Sequence, residues 1–319
     1  MSTAADKIAS PDSDANTLDV ANAHSPFPMG RLAAWVVTLA IATYFAWSVA
    51  GNENFGWPVV AHYFFDPTVI SGLYVSLGLT VVAMAFGIVL GLLLAIARLS
   101  QDRLANSLAS LFIWFFRGTP LLVQLIFWYN LSTLFPTLSI GIPFGPTFVS
   151  WDTNSVISPM TAAIAGLALN EAAYMAEIIR GGLLSVDKGQ FETAEAFGMT
   201  RARALSRIII PQAMRSIVPP TGNQLISMIK ATSLVSVIAM ADLLYSVQSI
   251  YNRTFEVVPM LLVAVIWYLL ITSVLNVGQS YIERYYGRGD RRSGGAKPAK
   301  EIMLAAQTPS QLVAQEAGQ

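Results

Sequence analysis

Long apolar runs alternate along the chain with short polar stretches. Six of the runs, residues 31–50, 68–98, 111–135, 159–184, 217–245 and 259–282, are long enough to cross a hydrocarbon core of about 30 Å. The second is longer than a straight crossing needs at about 1.5 Å per residue, so its helix must tilt or project. Asp66-Pro67, Ser158-Pro159 and Val258-Pro259 place proline at a first helical position, where the missing N–H is not needed.

One stretch breaks the apolar rhythm. Residues 185–216 are too polar to span and too well punctuated for an irregular loop. Asp187 is placed to cap a helix, with Gln190 reaching back as a capping box. Phe191, Ala194 and Phe197 recur at helical spacing, and Gly198 suits a left-handed stop. Thr200 is placed to cap a second helix through Ile210, ended by Pro211. Two short helices at a sharp angle make a knob for a partner to grip. Arg201, Arg203 and Arg207 leave open a second reading, an amphipathic helix lying on lipid.

Composition turns the apolar runs into a membrane assignment. Of 319 residues, 54% are hydrophobic and 12% charged, with mean hydropathy +0.55. A soluble domain carries about 25% charge. Nineteen basic and nineteen acidic residues give no net charge, so nothing points to nucleic acid. The absence of cysteine excludes disulfides and thiolate metal sites, and His24 and His62 both lie outside the long apolar runs. The expectation is an all-α polytopic membrane protein with six transmembrane helices.

Residues 1–30 carry Asp6, Asp12, Asp14 and Asp19 and read as a disordered tail, unlike the short basic start of a secretory signal. Residues 287–319 read as a second disordered tail. Lys and Arg are absent from 51–67 and 136–158, and 246–258 holds only Arg253. They concentrate in 98–117, 180–215 and after 283. That alternation predicts both termini and the 185–216 stretch in the cytoplasm. No repeat of 20–50 residues and no inverted repeat stands out, which argues against a duplicated secondary transporter.

Glu192-Thr193-Ala194, then Gly198, then Ile208-Ile209-Ile210-Pro211 resembles the EAA loop of ABC importer membrane subunits. Thr193 stands where the family has Ala, and Ile210 where it has Leu. Three further blocks, 116–124, 170–182 and 230–238, resemble polar amino acid permeases in order along the chain. The resemblance covers about 68–286. It leaves 31–67 as an extra helix with an outer loop, besides the two tails.

This resemblance implies a type I ABC importer permease fold. It implies two permeases, the same or homologous chains, paired in lipid, and an ATPase dimer docked on loop 185–216 through Glu192, Thr193, Ala194, Gly198, Ile208 and Pro211. An extracytoplasmic binding protein would deliver a polar amino acid. No Gly-x-x-x-x-Gly-Lys-Ser/Thr phosphate loop occurs in the chain, so ATP and Mg belong to the partner and no cofactor is expected here.

Ionisable groups inside spans are candidates for function because burying a charge is costly. Glu171 and Lys230 are expected at matched mid-depth on sequential spans. They either bridge each other or line a substrate path with Asn170, Tyr174, Thr232 and Ser233. Glu177 is expected to pair with Arg180, and Asp242 to sit at an exit-side interface. Arg117-Gly118-Thr119-Pro120 reads as a helix start capped by Thr119, or as a bend beside the path. Trp47, Trp57, Trp114, Trp128, Trp151 and Trp267 read as interfacial anchors. An intramembrane enzyme lacks a nucleophile–base pair or metal cluster, while a proton-coupled carrier through Glu171 stays open as the alternative function.

Overall fold

The computed structural model describes residues 29–142 and 146–286. The expected tails at 1–30 and 287–319 lie outside the described residues, except that Met29 and Gly30 belong to the first helix. The chain divides into two compact units, Met1–Phe55 and Gly56–Gln319. In the first, α1 (Met29–Gly51) is an apolar helix whose Thr38 hydroxyl donates to its own Ala34 carbonyl at 2.8 Å.

The second unit is built on α3 (Pro67–Leu99) and α8 (Pro159–Leu184), which pack along most of their lengths. Small residues permit this. Gly87 and Gly91 face Glu171, Ala172 and Met175, and α8 buries Ala162, Ala163, Ala168, Ala172, Ala173 and Ala176. Both helices start as the sequence indicates. Asp66 accepts from Thr68 N at 2.8 Å and Ser158 from Thr161 N at 3.2 Å, each just before a proline. Around this pair stand α2 (Trp57–Tyr63), α11 (Ile210–Ala231), α12 (Leu243–Thr254) and α13 (Val257–Tyr286). Leu79, Leu125, Leu167, Met228 and Val235 meet in one core; Val69, Leu243, Val247 and Met260 meet in a second.

Among the described residues, four helices are long and apolar enough to cross a membrane by themselves, and six crossings result if two bent pairs each count as one. The first bent pair corrects the expected straight span at 111–135. It consists of α4 (Arg103–Gly118) and α5 (Leu121–Tyr129), turned by 103°. Pro120 forces Thr119 into an extended conformation (φ −112°, ψ 142°), which a helix cannot continue. A short α6 (Leu131–Leu134) follows, then a hairpin of β1 (Thr137–Gly141) and β2 (Thr147–Asp152), closed by α7 (Thr153–Val156). The hairpin is the exception to the all-helical expectation. Its Thr-, Val-, Ile- and Trp-bearing strands favour a pleated surface.

The second bent pair replaces the expected span at 217–245. α11 begins at Ile210, seven residues earlier, and runs through Pro211, Pro219 and Pro220. Pro211 therefore does not end a helix. A widened π turn, Leu205–Ile209, precedes it and gives the ring room against the previous turn. After α11 the backbone tightens into a 3-10 segment, Thr232–Ile238, and stops at Ala239 with φ 58°. The bend to α12 is 46°.

Candidate functional site

The knob is α9 (Lys188–Ala196) followed by α10 (Arg201–Ala204) and the π turn. Asp187 caps α9 by accepting from Gly189 N at 2.6 Å. The reciprocal half of the capping box is absent, because Gln190 instead accepts from Gln212 Nε2 at 3.1 Å and ties α9 to α11. Thr200 sits at the start of α10 without a side-chain cap.

Gly198 has φ 70°. Gly198 N donates to Glu195 O at 2.9 Å and Met199 N to Ala194 O at 3.0 Å. Those two bonds close a Schellman stop, as the sequence leads one to expect, and they fix the direction of the chain leaving α9.

The expected docking residues divide by direction. Ala194 is buried, and Ile208 packs partly buried beside Val186, Ile209 and Ala213, where the knob joins α8 and α11. Glu192, Thr193, Gly198 and Pro211 are exposed. So are Phe191 and Phe197, at 42% and 81%, although they share helical spacing with buried Ala194. Phe197 is thus a strongly exposed aromatic, although its helical spacing sets it with buried Ala194.

The second constellation lies on α8. Glu171 is 3% exposed, with both oxygens accepting from the Gln224 amide at 3.3 and 3.2 Å. Lys230 does not reach it. Gln224 occupies Glu171's level on α11, and Lys230 lies six residues further along, about 9 Å, exposed in the last turn. Among the described residues, no ion pair joins Glu171 to Lys230, so the matched-depth expectation is corrected. The Glu177–Arg180 pair forms as expected, at 2.7 Å.

Beside Glu171, Asn170 Nδ2 donates to Phe116 O at 3.0 Å and Gln124 Oε1 at 3.3 Å. Gln124 Nε2 donates to Phe116 O, Thr119 O and Thr119 Oγ1 at 3.0, 3.1 and 2.6 Å. Two amides thus serve the carbonyls that the bend removes from the helix ladder. Thr119 does not cap α5; its hydroxyl returns to Phe115 O at 2.8 Å. Tyr174 lies beneath the Arg117 guanidinium, 5.4 Å from ring centre to Cζ.

Thr232 and Ser233 are not joined to Glu171. Their hydroxyls return to Ile229 O and Lys230 O at 2.8 and 2.7 Å and tighten the 3-10 turn. Asp242, expected at an interface, is fully buried and caps α12 through Tyr245 N and Leu244 N at 2.9 and 3.2 Å. Trp267 also points inward, donating to Phe64 O at 2.9 Å.

Sequence reasoning missed Gln124, Gln224 and Gln279. Each is an amide in an apolar helix, and that rarity was the available signal. Chemically, Glu171 keeps unused acceptor capacity, since one neutral amide serves both oxygens. An ammonium or guanidinium would bind it more strongly.

A membrane domain of broken and unbroken helices, with a rigid knob at one end and a buried carboxylate within, defines a transport subunit. The chain belongs to the family described as the inner membrane component of binding-protein-dependent transport systems, which it matches over residues 87–287. It is 44% identical over 266 residues to the arginine transport system permease protein ArgU of Corynebacterium glutamicum, covering 83% of this chain and 82% of that protein. The L-cystine transport system permease protein TcyB of Bacillus subtilis is 36% identical, covering 78% and 95%. A crystal structure of an amino acid ABC transporter with histidines is 37% identical, with a TM-score of 0.60 and coverage of 70% and 97%. The stand-alone carrier has no support among these relatives.

Proposed function

We propose that this chain is the permease subunit of an ATP-driven importer of polar amino acids in a bacterial inner membrane. The knob with its Schellman stop is the observation that carries the proposal. A carrier working alone has no need of a rigid, aromatic-tipped projection.

Six crossings, counting each bent pair once, leave both termini and the knob on one side, and the lysine and arginine distribution makes that side the cytoplasm. The permeases pair, and an ATPase dimer binds ATP and Mg and grips Glu192, Thr193, Phe197 and Gly198. An extracytoplasmic binding protein presents the amino acid on the other side. ATP-driven motion reaches the membrane through Gln190–Gln212 and the packed Val186–Ile209–Ala213 contact. Glu171 accepts the substrate's ammonium or cationic side chain when α11 moves Gln224 away. The names of the arginine and cystine relatives support a polar amino acid as cargo.

Reconstitution with the ATPase and binding protein tests the proposal. Uptake is expected to require ATP and the binding protein. Uptake that persists without the ATPase and collapses with an uncoupler overturns it.

A further inference from the structure

A cavity of about 730 Å³ opens beside α3, α8 and α11, a volume in the range of ligand sites. Its long wall is Met84, Ile88, Leu92 and Ile96, one face of α3 at four-residue spacing. Ile179 of α8 and Ile217 of α11 stand opposite. From Met84 to Ile96 the helix rises about 18 Å, close to one leaflet of a hydrocarbon core of about 30 Å. The remaining wall is also apolar apart from Thr221 and Gly222. A polar amino acid has nothing to bind there.

The chain segment at one end of the cavity is basic. Leu205 lines it, with Arg203 and Arg207 on either side in the chain, and Met214 lines it next to Arg215. All three arginines are exposed. Among the described residues, none of their side chains makes a hydrogen bond or ion pair. An apolar slot one leaflet long, bordered by a segment with three exposed arginines within two residues of its lining, fits an anionic amphiphile.

We propose that this cavity holds an acyl chain of an anionic inner-leaflet phospholipid, with the headgroup phosphate at Arg203, Arg207 and Arg215. The assignment of leaflet rests on the proposed topology, with the knob in the cytoplasm. The cytoplasmic leaflet is the anionic one, and basic pockets beside membrane helices recruit such headgroups. The lipid would then occupy the junction between knob and membrane, wedged between the stationary α3 and the proline-bearing α11.

The test places the assembled importer in phosphatidylethanolamine vesicles doped with phosphatidylglycerol carrying a photoactivatable acyl chain. Label is expected on α3 and α11 peptides. Leu92→Trp should fill the slot and reduce that label several-fold. Leu93→Trp, on an exposed residue outside the lining, should leave it unchanged. Arg203→Gln combined with Arg207→Gln should remove the preference for phosphatidylglycerol over phosphatidylcholine. Label unaffected by Leu92→Trp overturns the proposal. Disulfide crosslinking of Leu92→Cys to a second permease, showing that protein covers the slot, also overturns it. ATP-dependent uptake in the same vesicles is scored separately: intact labelling without uptake supports the lipid site and counts only against the transport function.

Discussion

Two membrane helices, α8 and α11, meet at Glu171 and Gln224 but are built on opposite plans. α8 runs 26 residues without interruption and presents small side chains to α3. α11 contains three prolines, follows a π turn, and ends in a 3-10 segment. Pro219 and Pro220 leave the Arg215 and Ser216 carbonyls without their ladder donors, and side chains bond other carbonyls close to that gap. Thr221 Oγ1 donates to Ile217 O at 2.8 Å, and Gln279 Nε2 of α13 donates to Pro219 O at 2.8 Å. Close packing allows one arrangement of α3 and α8, whereas a helix with interrupted bonds bends at low cost. Under the proposed function, the contrast divides the roles: α8 would hold the carboxylate still, and α11, joined to the knob, would move that carboxylate's partner.

The comparison breaks most severely if the α3–α8 contact is wedged apart. A Cβ at Gly91 would lie 2.6 Å from Met175 Cβ and 3.0 Å from the Ala172 carbonyl oxygen. Gly91→Val is expected to cost about 3 kcal/mol and to reduce the yield of folded complex sharply. Gly181→Ala is the control, since nothing lies within 4 Å of its added Cβ. Equal thermal stability of the two variants in detergent would remove the rigid-pair role.

Uncoupling the knob comes next. Gly198→Asp puts a side chain at φ 70°, costing about 1–2 kcal/mol locally, with no neighbour within 4 Å to clash. Membrane expression should stay near normal while uptake and substrate-stimulated ATP hydrolysis disappear. Phe197→Ala and Glu192→Lys should weaken ATPase binding to a lesser degree. If pull-down and uptake survive Gly198→Asp, α9 is a lipid-surface element. Cysteine introduced at Glu195 tests its side of the membrane, because the chain has no cysteine of its own. External labelling there in sealed cells contradicts the topology.

A sharper test asks which residue is Glu171's partner. Glu171→Gln should assemble but transport poorly. A double-mutant cycle of Glu171→Gln with Gln224→Leu should give a coupling energy of about 1 kcal/mol in thermal unfolding. The cycle with Lys230→Met should stay within about 0.5 kcal/mol of additivity. Strong coupling to Lys230 would restore the ion pair that the geometry lacks.

The smallest effect belongs to the break after α11. Ala239 holds φ 58°, so Ala239→Gly should relieve about 1 kcal/mol and raise the unfolding temperature slightly. A drop in stability would mean that Ala239 contributes packing that outweighs the strain.

What the sequence determined was set by local chemistry. Hydropathy marks an apolar helix because a membrane leaves a backbone few other conformations. Asp66, Ser158 and Asp187 cap from their own neighbourhood, and Gly198 lacks the Cβ that would oppose a left-handed stop. Even the Glu177–Arg180 pair is fixed by helical spacing. The tertiary structure decided the rest, because bends and partners depend on groups far apart in the chain. The run 111–135 looks like one span until Gln124 and Asn170, 46 residues apart, serve the carbonyls that let it fold back at 103°. Lys230 looks like Glu171's counterpart by counting along each helix, yet the starting point of α11 shifts that count, and an uncharged Gln224 faces the carboxylate. Periodicity places Phe197 with Ala194, but only the packing of α9 against the π turn decides that one is buried and the other stands exposed.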